Sequence, residues 1–348
     1  MVPEASDRRR FFLDVLREAA GVVREVSQAI REELEPELLP TGEKEQWYAH
    51  PPVPAGPTRR TLTREELASL CAEVGLGERA QDVARLARLS IRLTRADPQS
   101  AVLRSRLGGV PDLPPELEWP AWGDKELAFL GQIDLAEVAT LAPDSLLPPQ
   151  GLLLFFYEAS SQPSGLDPSH RGSCRVVHVE SDASLLRPAS PHRATFAPYP
   201  LELSCELMIP PSWSAAVEAL DLDLDERASW DELREKVAAA QGVELEDLVP
   251  RWQSLHRLLG YPEELGSGVE LDCQLASCGI SVDDPETYLD PRRDELEAGA
   301  EAWRLLLQVS DDEELGTSWG QGFGRVWILI REEDLRERAF ERAWAILR

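Results

Sequence analysis

Asparagine is absent from this chain of 348 residues, and lysine occurs only at Lys44, Lys125 and Lys236, beside 33 arginines. Without asparagine there is no N-glycosylation acceptor. GC-rich coding produces such a bias, and arginine's fixed fork suits salt-bridge networks. Cysteine is sparse, at Cys71, Cys174, Cys205, Cys273 and Cys278. A secreted disulfide scaffold would be denser and evenly paired, so reduced thiols and a cytoplasmic setting are expected. Apolar runs are short, the longest being 151–157 and 326–330. A bilayer span needs roughly 18 apolar residues or more. Positive charge is in deficit: 36 basic against 63 acidic side chains, a net charge of −27. That argues against nucleic acid, whose binders need a basic face, and against a polybasic membrane anchor.

A core is affordable, since 43% of residues are hydrophobic and ten are tryptophan. The acidity is uneven: residues 217–348 hold 32 acidic and 14 basic side chains. An electrostatic partner would therefore meet the C-terminal part. Near the N-terminus, Asp7-Arg8-Arg9-Arg10-Phe11-Phe12-Leu13 resembles a twin-arginine export signal. Asp14, Arg17, Glu18, Arg24 and Glu25 interrupt the apolar region such a signal needs, so export is not expected.

Residues 8–34 place Phe12, Val15, Ala19, Val22, Val26 and Ile30 on one helical stripe, and Pro36 and Pro40 end it. Pro51, Pro52, Pro54 and Pro57 continue an extended linker. The division expected is 1–60, an amphipathic helix with its linker, and 61–348, a domain with lobes near 101–216 and 250–348. The apolar stripe must be buried against the body of the protein, against another copy by self-association, or against a partner. Thr63-Arg-Glu-Glu66 fits a capping box, so a helix is expected over 63–74 and another over 78–87. Alternation marks a strand at 89–93, and strand-rich loops follow to about 210. Helices are expected at 212–220, 229–240, 244–258, 292–300 and 332–347, with strands at 303–309 and 324–330. Without a regular βαβ rhythm, the fold class expected is α+β with mainly antiparallel sheet.

Three blocks recur in order. Arg106-Leu-Gly-Gly-Val-Pro111 pairs with Arg257-Leu-Leu-Gly-Tyr-Pro262. Phe129-Leu-Gly-Gln-Ile-Asp134 pairs with Leu305-Leu-Leu-Gln-Val-Ser310, then Asp311. Gly151 to Glu158 pairs with Gly324 to Arg331. An internal duplication giving two related lobes is the expectation.

The same blocks, with Glu118-Trp-Pro120, His256-Arg-Leu-Leu-Gly-Tyr-Pro262 and Trp319-Gly-Gln-Gly-Phe-Gly-Arg-Val-Trp327, resemble the YwqG-like family of bacterial proteins over roughly 85–330. That resemblance implies a cytoplasmic, two-lobed α+β fold with no established activity and no catalytic residues to carry over. The family's Trp-Gly-Asp step reads Trp319-Gly320-Gln321 here, which removes one carboxylate.

Motifs of known chemistry match poorly. Gly316-Thr-Ser318-Trp-Gly320 has the letters of a nucleophile elbow, but a strand follows it and no histidine lies beyond His256. Asp221, Asp223, Asp225, Ser229 and Glu232 have calcium-loop spacing, with Glu226 where glycine is needed. Cys174, His178, His192 and Cys205 form a weak zinc set. No cofactor and no metal are expected. Rigid turns flanked by aromatics single out Arg106, Trp119, Trp122 and Trp319 as a ligand or partner surface. Aromatics beside such turns also simply cap a core. Asp134 and Asp311, at matching repeat positions, are the carboxylates an enzyme would use in a cleft between lobes. The leading expectation is a non-catalytic module that binds a protein or small molecule. The alternative is an enzyme or small-molecule binder using those carboxylates and Arg106.

Overall fold

The computed structural model describes residues 61–96, 104–180, 187–189, 195–242, 255–263, 268–320 and 324–348. The helix expected over 8–34, the proline-rich linker, His192 and residues 243–254 lie outside them.

The first helix, α1 (Arg64–Glu73), starts as expected: Thr63 and Glu66 form a reciprocal capping box. It buries Leu67 and Cys71, and the chain turns away at Gly75, whose φ is +84°. Next come α2 (Ala80–Leu86), β1 (Arg88–Arg95), β2 (Arg106–Leu107), β3 (Asp112–Leu113), β4 (Ala121–Trp122) and β5 (Lys125–Glu126). Then follow β6 (Ala128–Asp134), α3 (Leu135–Leu141), β7 (Leu152–Tyr157), β8 (Cys174–Val179), β9 (Arg187–Pro188) and β10 (Tyr199–Met208). The chain continues through α4 (Ala215–Glu218), α5 (Leu224–Ala240), β11 (His256–Leu259), α6 (Val269–Ser277) and α7 (Arg292–Glu297). It closes with β12 (Trp303–Ser310), β13 (Arg325–Arg331), α8 (Glu332–Arg336) and β14 (Trp344–Leu347).

Ten strands form one antiparallel sheet in the order β14-β13-β12-β11-β1-β10-β2-β6-β7-β8. The central pair β1·β10 is the longest, from Arg88↔Met208 to Arg95↔Leu201. Outward from it the two wings mirror each other: β11 and β2, β12 and β6, β13 and β7, β14 and β8. Both β6 and β12 carry a register shift, at Phe129/Gly131 and at Leu305/Leu307. The extra residue falls at the matching place in both, Leu130 and Leu306, and such a bulge bends its strand locally.

The bending brings the sheet ends together. Leu347 N–H donates to Ser164 O at 2.9 Å, and Trp344 Nε1–H donates to Gly165 O at 2.8 Å. Gly165 has φ +78°, and a Cβ there would fall 1.8 Å from Ala345 O, so only glycine allows this approach. The nearly closed sheet encloses a core drawn from both wings, including Ile91, Leu130, Phe155, Val176, Ile328 and Leu347. Each fully buried side chain of this size contributes about 1.5–3 kcal/mol. Outside, α1, α2 and α5 bury Leu67, Val83, Trp230 and Leu233 as one layer, and α6 covers Trp303, Leu305, Trp327 and Trp344.

Several expected helices shift. The helix over 229–240 begins earlier, because Asp223 and Glu226 form its capping box, not Ser229 and Glu232. Of 212–220 only Ala215–Glu218 is helical. Within 244–258, His256 opens a strand, placed by its pairing with β1. The helix expected over 332–347 stops at Arg336. Arg338 takes φ +59°, which ends it, and the aromatic and β-branched residues of 344–347 add the edge strand β14. Among the described residues no helix is long and apolar enough to cross a membrane.

Candidate functional site

The residues singled out by sequence have structural partners. Arg106 donates to Val110 O and pairs with Asp112 at 3.2 Å. Gln132, fully buried, accepts from Asp112 N–H at 2.9 Å and donates to Arg104 O at 2.9 Å. Burial pushes the Asp112 carboxyl up, but hydrogen bonds from Arg106 and Gln132 outweigh it and hold the group below its ordinary range. The other wing repeats this bridge. Arg257 pairs with Glu263, while Gln308 accepts from Glu263 N–H at 3.0 Å and donates to Leu255 O at 2.8 Å.

Trp119 packs edge-on against Phe156 and donates to Leu127 O, while Trp122 donates to Arg171 O. Both are half-buried and cap the outer cluster around Phe129 and Phe156. Trp319 is 1% exposed, wedged in the core between Tyr157 and Phe196. A partner could not reach it without unfolding the wall around it.

Asp134 accepts from Ala136 N–H at 3.0 Å as the cap of α3, and Arg104 pairs with it at 3.3 Å. Asp311 accepts from Trp319 N–H at 2.5 Å and Gly324 N–H at 3.1 Å. Asp134 ends β6 and Asp311 follows β12. These strands stand five antiparallel steps apart, so the two carboxylates lie at opposite rims of the sheet. The matched bridges also equate Asp134 with Ser310, one residue before Asp311. No shared cleft carboxylate pair forms.

Ser229 and Glu232 lie inside α5, so the calcium spacing does not become a loop. Cys174 and His178 share β8, but among the described residues no group of three or more His, Cys, Asp or Glu could hold a metal ion. Burial pushes the Cys174 thiol up to about 12. All five cysteines are free.

Sequence reasoning missed an acid–base pair, His256 with Asp312. Ser310 N–H points at His256 Nδ1 from 3.3 Å, which makes Nδ1 the acceptor and Nε2–H the donor to Asp312 Oδ2 at 3.2 Å. Asp312 Oδ1 also accepts from Glu314 and Leu315 N–H. Tyr199 lies edge-on to the imidazole, and burial, then the charges of Asp312 and Glu314, raises its hydroxyl. His256 is 1% exposed and no described cavity reaches it, so the pair fastens the 311–320 loop.

The second missed feature is open to solvent. A cavity of about 280 Å³ lies outside the sheet, between α6, β13, α8, β14 and the loop before β8. Arg171, Ser277, Trp303, Arg331, Arg342 and Trp344 line it, with Glu333 and Asp334. Alternation along β13 turns Ile328 and Ile330 inward and Leu329 and Arg331 outward, beneath α6. Arg331 stacks 4.9 Å over Trp303, and Arg171 lies 5.2 Å over Trp344. Arg331 Nη2 donates to Gln274 Oε1 and Ser277 Oγ, both at 3.0 Å. Arg171 Nη2 donates to Ser277 O at 2.7 Å. Asp334 is engaged by Arg342 at 2.6 Å. Neither Arg171 nor Arg331 forms an ion pair with a carboxylate among the described residues. A second hollow of about 460 Å³ adjoins, sharing Arg331 and Glu333. The arginines sit in distant stretches, and Arg171 stands in no motif, so the only sequence signal was the outward position of Arg331 at the end of its strand.

No curated protein matches the chain. Residues 105–348 match a family described as a domain of unknown function, from just before β2 to the C-terminal residue. That span takes in nine of the ten strands of the sheet, the Arg, acid and Gln side chains of both bridges and the arginine-lined cavity, and the chain belongs to the DUF1963 family.

Proposed function

We propose that this protein is a non-catalytic binding module that takes a small anionic ligand in the arginine-lined cavity. The observation carrying this reading is that Arg171 and Arg331 face one cavity without a carboxylate partner among the described residues, in a chain of net charge −27. Abundant acidic side chains would ordinarily neutralise such a pair. Among the described residues no acid–base pair reaches the cavity: His256 and Asp312 are enclosed, and Asp134 and Asp311 stand at opposite rims as backbone acceptors. The enzyme alternative, with those carboxylates and Arg106 in a cleft, loses its geometric support there.

The same reading takes the domain over 61–348 as two fused copies of one strand unit, with the likeness to the YwqG-like family. Its support is the mirrored strand order, the twin bulges and the twice-built Arg–acid–Gln bridge. Free thiols accord with a cytoplasmic setting, and the apolar stripe over 8–34 is the proposed surface for self-association.

Native mass spectrometry of the full chain tests the binding reading. A co-purified or added anion retained by the wild type and lost from Arg331→Gln is the expected result. Asp134→Ala/Asp311→Ala should still retain it. Substrate turnover that disappears in that double variant would overturn the reading.

A further inference from the structure

We infer that the cavity binds the dianion of a phosphate monoester. The inference rests on the binding-module reading and names the ligand class of that site.

Both guanidinium groups hydrogen-bond one residue, Ser277, Arg171 to its carbonyl and Arg331 to its hydroxyl, so two positive charges are held close together by neutral acceptors. Solvent screens the exposed Arg171 in part, and the half-buried Arg331 least. The hydrogen bonds of both groups to the described residues leave from Nη2. Nε and Nη1 of each therefore remain to donate. Trp303 and Trp344 are 2% and 3% exposed, and a guanidinium carbon lies over each indole ring. The buried indoles thus offer a ligand no ring to stack on.

These features select the anion. A carboxylate carries one charge and offsets only one arginine. A phosphate monoester carries close to two charges near neutral pH, on three oxygens set tetrahedrally. That arrangement suits two forks approaching from different elements, one from the loop before β8 and one from the end of β13. Arg342, its side chain 60% exposed, adds a cation at the mouth although it already holds Asp334. The exposed Glu333 disfavours further negative charge on the ligand. The adjoining hollow beyond Arg331 leaves room for the esterified group.

The competing account is that Arg171 and Arg331 only satisfy the C-terminal end of α6, where cations are favoured. Titration calorimetry on the full chain, with inorganic phosphate, sulfate and acetate at equal ionic strength, separates the two. Phosphate and sulfate should bind saturably and acetate at least tenfold more weakly. Arg331→Gln and the exposed Arg171→Gln should each weaken phosphate at least tenfold, while Arg338→Gln, which lines neither hollow, should not. Acetate binding as tightly as phosphate would overturn the ligand class and leave the binding reading intact. An absence of anion binding, with both variants only melting earlier, would leave the helix-end account and overturn both. Hydrolysis of 4-nitrophenyl phosphate, lost in Arg331→Gln, would keep the ligand class and overturn the non-catalytic reading.

Discussion

In one wing of the sheet β7 runs into Glu158, and in the other β13 runs into Arg331, at the matching place in the repeated block. Glu158 is 2% exposed and accepts from Ser160 N–H at 3.0 Å and Ser161 N–H at 2.9 Å, as well as from both hydroxyls, with Lys125 at 3.8 Å. Its own turn folds over it and fills the space. Arg331 is too long and too rich in donors to be closed off that way, and it lies across Trp303 with part of its fork facing a cavity. One backbone frame therefore supports a sealed end and an open end. The difference lies in whether the terminal side chain accepts hydrogen bonds that a short turn can supply.

The largest effects should come from the paired bridges. Gln308→Leu takes the acceptor from Glu263 N–H and Trp327 Nε1–H and leaves Leu255 C=O to Ser310 Oγ alone. Gln132→Leu takes the acceptor from Asp112 N–H and leaves Arg104 C=O and Asp112 Oδ2 to Arg106 alone. Each buried group left without a partner costs about 1–3 kcal/mol, so both variants should lose about 2 kcal/mol or more in urea unfolding. A gap between them above about 2 kcal/mol would break the equivalence of the wings.

Where the wings meet, Gly165→Ala sets a methyl against Ala345 O in a left-handed backbone. It should cost about 2 kcal/mol or more, and protection of the Leu347 amide in hydrogen exchange should drop first. Retained protection there would argue against the closure.

A smaller effect separates the sealed end from the open one through pH. Burial raises the Glu158 carboxyl, but hydrogen bonds from Ser160 and Ser161 outweigh it and hold it below 4.5. A depressed folded value means stability that is present above the unfolded value and lost as pH falls through the folded one. Below about pH 4.5 the wild type should therefore lose stability faster than Glu158→Gln. Parallel acid unfolding curves would remove Glu158 from the account. The smallest effect is expected from Asp134→Ala, which removes a helix cap and should cost about 1 kcal/mol in the same urea assay.

Much of the frame was legible in the chain. The capping box at Thr63 set α1, and the apolar runs at 303–309 and 324–330 fell within a residue of β12 and β13. Two of the three repeated blocks coincide with the bridges, because in each wing the glutamine of one block satisfies backbone on either side of the Arg-Leu-x-Gly-x-Pro turn of the other. Other features were hidden because they depend on packing partners that no local pattern names. β14 reads as the tail of a helix until β13 is there to pair with it. Arg171 is an ordinary loop residue until the closing sheet lays it over Trp344, 173 positions away. Trp319 resembled a surface aromatic because glycines flank it, yet the loop it occupies is drawn inward by Asp311 and by the His256–Asp312 bond.

The crossing at the middle of the sheet bears on how the chain is made. β1 has β10 on one side and β11 on the other, and both are synthesised at least a hundred residues later. A nascent chain emerging from the ribosome through β8 thus holds a strand with neither neighbour yet available, its Ile91 and Leu93 exposed. Such long-range pairing makes assembly slow and leaves the growing polypeptide open to wrong partners. Completion waits for the β11 segment, so truncation anywhere before about residue 260 should yield an aggregating fragment rather than a smaller domain.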